Sequence, residues 1–360
     1  MHSRHLPLVL GAVPSIVTEV PPYTIREYRP GDEVAILETF NRVFGGVDPN
    51  FQPRTLEEWR WTYLDNPSGW RISLAVTEDG RVISQCAGIA QRTLLNGAPA
   101  FFSQVVDSMT DPAFRGGLKR PGFFVLTGYP YAESYGGPPP DKDTVMWGLP
   151  VPQAWRIGKS YLKYGLVRTH LKLVAELDQL ALPGVGSHGV TVEELETFPA
   201  DSEQLFRAHA ARHLAMAVRD KAQLDWRFTK RPGYRYRIAA ARRAGKLVGL
   251  GVARAGSFDH GAGNLVCDWV TGAPVDARAP FDLGAAVELL AWQRACAAET
   301  GGPLIALFPD TAPEWLAFQE VGFRVFDTSY FLVGRNYQKQ YDMRWLRRHW
   351  YYTLGDTDLV

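Results

Sequence analysis

The feature of this 360-residue chain that most limits its fold is an internal repeat. Patterns of the N-terminal half recur, in the same order, in the C-terminal half. They are Trp61-x-Tyr63-x-x-x-Pro67 and Trp226-x-Phe228-x-x-x-Pro232, Gly80-Arg81-Val82 and Gly245-Lys246-Leu247, Asp107 and Asp268 in strand-like runs, and Tyr161-Leu-Lys-Tyr-Gly165 and Phe318-Gln-Glu-Val-Gly322. Recurrence in a fixed order indicates a duplicated structural unit.

A Gly/Pro-rich stretch at 181–189 separates the two copies and reads as a linker. We therefore predict two similar domains, residues 23–180 and 190–337. Residues 1–22 are predicted to be a disordered N-terminal arm. Residues 338–360 are predicted to be a tail that packs against the body, and the sequence leaves open whether it reaches a cleft.

Composition excludes several classes of protein. A net charge of +1 argues against a dedicated nucleic-acid-binding surface. No apolar run reaches the ~18–20 residues of a membrane span. Cys86, Cys267 and Cys296 lack metal-ligand spacing and are typical of reduced core residues in a cytoplasmic protein. The histidines lack ligand spacing too, so we predict no metal.

Periodicity and turn signals predict the element order of the first copy: strand, two helices, three strands, a glycine-rich loop, helix, strand, helix and strand. Thr55 and Glu58 form a capping-box signal for the second helix. Asn96-Gly97 is a hairpin signal between the second and third strands of the meander. The later elements are predicted at Phe123–Glu133, which Pro130 must end or kink, and at Thr144–Gly148, Gln153–Tyr164 and Leu171–Leu177.

The glycine-rich loop is a candidate phosphate site. A strand, interrupted by Asp107, is predicted from Phe101 to Met109, and after the loop a helix is predicted to begin at Phe123. Backbone N–H groups of such a loop and the positive end of the helix dipole attract an anion. The alternative is a plain surface turn. The residues concerned are Arg115, Gly116, Gly117, Lys119, Arg120 and Gly122.

The element order and the run Met109-Thr110-Asp111-Pro112-Ala113-Phe114-Arg115-Gly116 resemble the GNAT superfamily of acyl-CoA-dependent N-acyltransferases. The resemblance implies an α/β (α+β) fold of two tandem GNAT-like domains, each a mixed, mostly antiparallel sheet with splayed central strands flanked by helices. It also implies that the loop binds the pyrophosphate of acyl-CoA, with Met109 and Thr110 leading into it. The loop departs from the family pattern, because Leu118 replaces the middle glycine and Lys119-Arg120-Pro121 look inserted.

The family also implies a proton donor to the departing thiolate, a tyrosine in a Tyr-x-x-x-Gly-Phe sequence. Tyr161 matches that position, with Leu166 in place of phenylalanine, and Tyr164 is a competitor. A phenol stays protonated at neutral pH, as this role requires. The second copy has Phe318 at the matching position and no glycine-rich loop, so we assign the chemistry to residues 23–180 and regard the second copy as a degenerate partner.

A general base must take a proton from the acceptor ammonium. Asp107 on the central strand, Glu38 on the first helix and Glu133 are the candidates. The alternative for Asp107 is a purely structural role, because Asp268 occupies the matching position of the second copy, to which we assign no chemistry.

The predicted function is transfer of an acetyl or other acyl group from acyl-CoA to a primary amine by direct attack. Acetyl-CoA or another acyl-CoA would be the co-substrate, and the acceptor a small-molecule or peptide amine. No nucleic acid or membrane span is expected, and the protein would be a cytoplasmic monomer or homodimer. The alternatives are a Fem-like aminoacyl transferase and a non-catalytic acyl-CoA-binding or scaffold protein.

Overall fold

The computed structural model describes residues 21–47, 51–115 and 121–360. Most of the predicted N-terminal arm therefore lies outside the described residues. The first half of the chain contains β1 (Tyr23–Glu27), α1 (Glu33–Gly45), α2 (Leu56–Tyr63), β2 (Trp70–Thr77), β3 (Val82–Leu95), β4 (Ala98–Thr110), α3 (Phe123–Tyr135), β5 (Asp143–Gly148), α4 (Pro152–Tyr161) and β6 (Gly165–Ala175).

The second half repeats this order with additions. It contains β7 (Val190–Leu195), α5 (Ser202–Ala210), β8 (Ala215–Ala217), α6 (Lys221–Leu224), β9 (Arg237–Arg243), β10 (Lys246–Phe258), β11 (Gly261–Thr271), α7 (Leu283–Thr300), β12 (Leu304–Ala306), α8 (Pro313–Glu320), β13 (Arg324–Asn336), α9 (Met343–His349) and β14 (Trp350–Tyr351).

Strands of both halves join one mixed sheet. Its order is β1-β2-β3-β4-β5-β13-β6-β12-β11-β10-β9-β7, and β8 bonds to both β3 and β14. Most neighbours are antiparallel, but β4 and β5 are parallel, and so are β11 and β12. Each of these two pairs is linked through a helix, α3 in the first half and α7 in the second, as parallel strands require. The short strands β8 and β14 are also parallel.

The two halves exchange their last strands. Strand β13 of the second half pairs with β5 of the first, and β6 of the first half pairs with β12 of the second. The two exchanged strands also pair with each other. The bounds 23–180 and 190–337 remain a prediction, and across them the two halves share a sheet.

Two tryptophans from the repeat meet between the halves. The indole rings of Trp61 and Trp226 stack with centroids 5.1 Å apart and planes 16° apart. Each indole nitrogen donates to the other's backbone carbonyl, at 2.7 Å from Trp61 and 2.8 Å from Trp226. This reciprocity is what a two-fold relation between the halves produces. An aromatic pair of this kind is worth ~0.5–1.5 kcal/mol beyond its buried area.

Several local predictions can be compared with the structure. The capping box at Thr55 and Glu58 is formed. Helix α3 continues through Pro130 to Tyr135, so the proline does not end it. Helix α4 ends at Tyr161 rather than Tyr164, because Lys163 adopts a left-handed backbone with φ of 59°. Strand β6 therefore begins earlier than predicted.

The tail is part of the core. Trp350, Tyr351 and Tyr352 are buried, and β14 pairs with β8. Beyond them Thr353 begins a short turn in which the side chains of Thr353 and Asp356 each accept a hydrogen bond from the backbone N–H of the other residue. The tail therefore packs against the body, as predicted, and it brings its last residues between the halves.

Candidate functional site

The central strands of the first half separate part-way along their length. Strands β4 and β5 pair from Phe101 and Asp143 to Gln104 and Trp147. Strand β4 then continues unpaired on that side to Thr110. A bulge in its pairing with β3 lies at this point, and Asp107 within it has a φ of 51°. Bulges are common beside active sites because they redirect side chains.

A largely apolar cavity occupies the opening; we name it the strand cavity. Val105, Val106 and Ser108 line it from β4, and Met146 and Trp147 from β5. Helices and the exchanged strand close its other sides. Further lining residues are Phe44, Gln104, Asp107, Phe124, Gly148, Leu149, Pro150, Val151, Ala154, Tyr164, Val333, Gly334, Asp358 and Leu359.

The predicted phosphate loop lies at the end of β4. Its residues Gly116, Gly117, Lys119 and Arg120 are outside the described residues. Met109 is buried, and the Thr110 carbonyl accepts a hydrogen bond from Arg115 Nε at 3.1 Å. Gly122 is exposed and is the N-cap residue of α3, whose N-terminus has no side-chain cap among the described residues. The N–H groups of this first turn are therefore left for another partner.

The two tyrosines of the repeat motif have different surroundings. Tyr161 is the last residue of α4 and is 47% exposed, and it does not line the strand cavity. Tyr164 lines that cavity, and its ring packs so closely on Gly158 that a β-carbon there would overlap it. Burial raises the pKa of Tyr164, so its hydroxyl keeps its proton at neutral pH.

The two candidate glutamates are away from the cavities. Glu38 on α1 and Glu133 on α3 are both exposed, and neither lines the strand cavity. The structure brings neither of them to the opening between β4 and β5.

Asp107 is held by two donors. The Tyr63 hydroxyl donates to its Oδ2 at 2.6 Å, and the Arg54 guanidinium ion-pairs with the same oxygen and reaches Oδ1 at 3.2 Å. Arg54 and Tyr63 lie before and at the end of α2, so this network ties the bulge of β4 to that helix. Burial and the Asp107 charge raise the pKa of Tyr63, which keeps it a donor.

A second cavity lies between the halves; we name it the interlobe cavity. Arg54, Trp61 and Asp107 line it from the first half, and Arg219 and Asp268 from the second. Arg219 is buried and ion-pairs with Asp268 at 3.2 Å and with Asp356 of the tail at 2.5 Å. The residues that line both cavities are Gln104, Val106, Asp107 and Asp358, so the two cavities adjoin.

The matching opening of the second half is filled. Strands β11 and β12 separate after Val266 and Ala306. Trp269, Phe308 and Phe318 are buried there and in contact, with Phe318 centred 5.2 Å from Trp269 and 4.9 Å from Phe308. Helix α7 begins with Asp282, whose Oδ1 accepts from Ala285 N at 3.0 Å and whose charge is paired with Arg243.

Sequence reasoning ranked Tyr161 above Tyr164 and did not single out Asp358 or Asp282. A signal for Asp282 was present, because an aspartate just before a helical apolar pattern is a common N-cap. The described residues contain no group of three or more His, Cys, Asp and Glu side chains that would hold a metal. In that part of the chain, none of the helices is long and apolar enough to cross a membrane.

No protein-family model and no curated protein sequence matches this chain. A crystal structure from Enterococcus faecalis, described as a probable N-acyltransferase, is similar, with a TM-score of 0.63 at 12% identity over 91% of this chain and 74% of that one. A GCN5-related N-acetyltransferase from Anabaena variabilis has a TM-score of 0.62 at 12% identity, covering 88% and 73%.

A tandem GNAT protein from the clavulanic acid biosynthesis pathway matches 88% of this chain and 99% of its own, with a TM-score of 0.52 at 14% identity. The chain has a tandem GNAT-like fold. The GNAT-like sheet predicted from the sequence, mixed and mostly antiparallel with splayed central strands, is therefore confirmed. In this GNAT-like chain the strand cavity lies where the central strands of the first half separate.

Proposed function

We propose that this chain is an N-acyltransferase that moves an acetyl or other acyl group from acyl-CoA to a primary amine, with the chemistry in the first half. The observation that carries the proposal is the opening between β4 and β5. Beyond Gln104, β4 has an edge that β5 does not use, and the amide groups of a pantetheine arm are suited to pair with such an edge. The cavity beside it is lined mainly by apolar side chains, which suits the arm and a thioester.

The diphosphate of acyl-CoA is proposed to bind at the N-terminus of α3. That helix has 13 residues and no capping side chain, and Arg115 lies just before its loop. Gly122 has open space where a β-carbon would lie, and Lys119 and Arg120 add positive charge in the sequence. Anions bind such a site through backbone N–H groups and the helix dipole.

The proton donor to the departing thiolate is proposed to be Tyr164 rather than Tyr161. Tyr164 lies in the strand cavity, whereas Tyr161 is exposed outside it. A protonated phenol there stabilises the nascent thiolate by a charge-assisted hydrogen bond. Positioning of the amine and the thioester supplies most of the remaining acceleration.

The proposal is tested by titrating purified protein with CoA and acetyl-CoA in a calorimeter, and by measuring free thiol release with a library of primary amines. We expect binding, and thiol release with at least one amine. Arg115→Glu should weaken binding, whereas Arg156→Glu, at an exposed position of α4, should not. Failure of the wild-type protein to bind any acyl-CoA would favour the scaffold alternative.

The acyl-CoA thioesters and amines that support thiol release will also identify the acyl group and the acceptor. One structural neighbour bears on the length of the acyl group: Saccharomyces cerevisiae N-myristoyltransferase, solved with bound myristoyl-CoA, has a TM-score of 0.55 at 12% identity over 89% of this chain and 80% of its own. The donor series should therefore run from acetyl-CoA to myristoyl-CoA.

A further inference from the structure

Asp358 lies where the two cavities meet. It lines both the strand cavity, where the thioester is proposed to bind, and the interlobe cavity that adjoins it. Among the four residues with this double position, only Asp107 and Asp358 carry a carboxylate. An amine that enters from the interlobe side would pass these two groups before it reaches the thioester.

The two carboxylates differ in how they are held. Asp107 accepts from both Tyr63 and Arg54, so its oxygens are occupied by donors. Asp358 has one hydrogen-bond partner among the described side chains, Gln104, whose Nε2 donates to its Oδ1 at 2.5 Å. The backbone of the tail holds Asp358 in place, because Arg227 donates to the carbonyls of Gly355 and Thr357 at 2.8 Å each.

Gln104 adds a second polar group to the same place. Its side chain is buried, and its Oε1 has no hydrogen-bond partner among the described residues. A carboxylate only accepts, so the bond to Asp358 assigns the nitrogen of the amide to that side. A buried carbonyl oxygen without a partner is costly, and an amine N–H would satisfy it.

We infer that Asp358 is the general base of the reaction and takes a proton from the acceptor ammonium. The inference rests on the proposed function. The Asp358 carboxylate accepts one proton from the ammonium, and the nitrogen lone pair then attacks the thioester carbonyl. The C–N bond forms, the C–S bond breaks, and the thiolate leaves. The nitrogen loses a second proton once it has attacked, and the thiolate takes up one proton. The net reaction therefore releases one proton, which passes from Asp358 to solvent.

The charged and titratable groups around Asp358 support this role. Asp358 is accessible to solvent and lines both cavities. The protein atoms that surround it displace bulk water, and this desolvation and the like charge of Asp107 raise the pKa of its carboxyl, while the bond from Gln104 and the charge of Arg54 act in the opposite direction. Tyr330, on β13, also interacts with its charge. A carboxylate with a raised pKa is a better base than an ordinary aspartate. The base is active when deprotonated, so activity should fall as the pH falls through this raised pKa.

The test compares Asp358→Asn with Asp178→Asn, a change of the same kind at an exposed turn. We expect Asp358→Asn to lower kcat/KM by about 100-fold or more and to remove the acidic limb of its pH profile, with CoA affinity and Tm unchanged. Asp178→Asn should behave as the wild type. Asp358→Glu should recover part of the activity.

A second acceptor separates a base from a residue that only positions Gln104. An amine already neutral at the assay pH does not need the first deprotonation, so the defect of Asp358→Asn should largely disappear with it. A defect equal for both amines, or turnover of Asp358→Asn within twofold of wild type, overturns the inference. Wild-type protein that binds no CoA instead overturns the proposed function.

Discussion

The two halves of the molecule have the same strand order and differ where a ligand would bind. In the first half the space between β4 and β5 is a cavity lined by Ser108 and its neighbours. In the second half the matching space holds aromatic side chains, and Trp269, which follows Asp268 as Ser108 follows Asp107, is fully buried there. Two halves with the same strand order can thus differ in whether the space between their central strands is a cavity or part of the core.

The helices that follow the two openings differ in the same way. Helix α7 is capped by Asp282, whose carboxylate accepts a hydrogen bond from the Ala285 N–H in the first turn. Helix α3 begins at Gly122 with no such group. A fixed carboxylate and a bound phosphate compete for the same donors and repel each other. If the proposed function holds, a few side chains, rather than the backbone, decide which half accepts acyl-CoA.

The largest effect is expected when Ser108 of the first half is replaced by tryptophan, the residue at the matching position of the second half. Ser108→Trp should fill the strand cavity and weaken acyl-CoA binding at least ~1,000-fold, equivalent to about 4 kcal/mol. Calorimetric titration measures this, and Ser108→Ala is the control that keeps the cavity open. Undiminished binding by the tryptophan variant would show that the thioester lies elsewhere.

The converse change, which gives the second half the serine of the first, is expected to affect the stability of the folded protein. Trp269→Ser should lower the free energy of unfolding by about 3–5 kcal/mol, because it leaves a cavity in a packed core. Urea denaturation measures the loss. Under conditions where the variant is folded, its CoA affinity should equal that of wild type, since the second half is not proposed to bind the nucleotide. A parallel loss of affinity would contradict the division of roles between the halves.

The difference between the two helices is tested by giving α3 the aspartate N-cap of α7. Gly122→Asp should weaken CoA binding on the order of 100-fold, because a carboxylate would occupy and repel the phosphate site. The φ of −74° and the open space at Gly122 allow a side chain without strain. Gly122→Ala is therefore the matched control and should bind almost normally. Tm should not fall, since aspartate is a good N-cap.

Acid should destabilise the protein through the second half and the exchanged strand. The sequence has no histidine between residues 21 and 169. Burial lowers the pKa of His170 and of His213 to about 3, and lowers that of His209 as well. A depressed histidine pKa means that the unfolded state binds more protons below pH 6.5, so the free energy of unfolding falls as the pH drops from 6.5 towards 3.

At pH 5 the loss from His170 alone should be about 2 kcal/mol relative to pH 7. Urea denaturation at both pH values measures it, with His188→Gln, at a partly exposed position, as control. His170→Gln should show a smaller pH dependence than wild type. An unchanged pH dependence would mean that His170 is not held neutral.

The smallest effect separates the two tyrosines. Tyr164→Phe should lower kcat about tenfold through loss of a hydrogen bond to the thiolate, with acyl-CoA affinity retained. Tyr161→Phe should leave kcat within twofold, because its side chain is exposed outside the cavity. Steady-state kinetics on both variants decide between them, and the opposite ranking would restore Tyr161 as the proton donor.

The sequence was sufficient where local physics decides. The capping box at Thr55 and the hairpin turn at Asn96-Gly97 follow from neighbouring residues. Both residues of that turn have a positive φ. The repeat predicted that Trp61 and Trp226 are equivalent, although their mutual contact is visible only in the structure. The order of elements in the first half was also correct, because each helix and strand had its own periodicity.

Long-range choices were not predictable in this way. Nothing in the alternation of β6 indicates that it pairs with β12 of the other half, since pairing partners are chosen by the whole sheet. Tyr164 was placed on a helix, because the left-handed backbone of Lys163 has no strong sequence signal. Asp358 lies in a tail of mixed charge, and only the fold brings it beside Gln104.

The exchange of β6 and β13 has a consequence for how the protein is made. The first half cannot complete its sheet until residues 324–336 have left the ribosome, because β13 is the neighbour of β5. During synthesis the edge of β5 is therefore an open template for pairing with other chains. We expect each half expressed alone to aggregate, and the two halves produced together to rescue one another as a non-covalent pair.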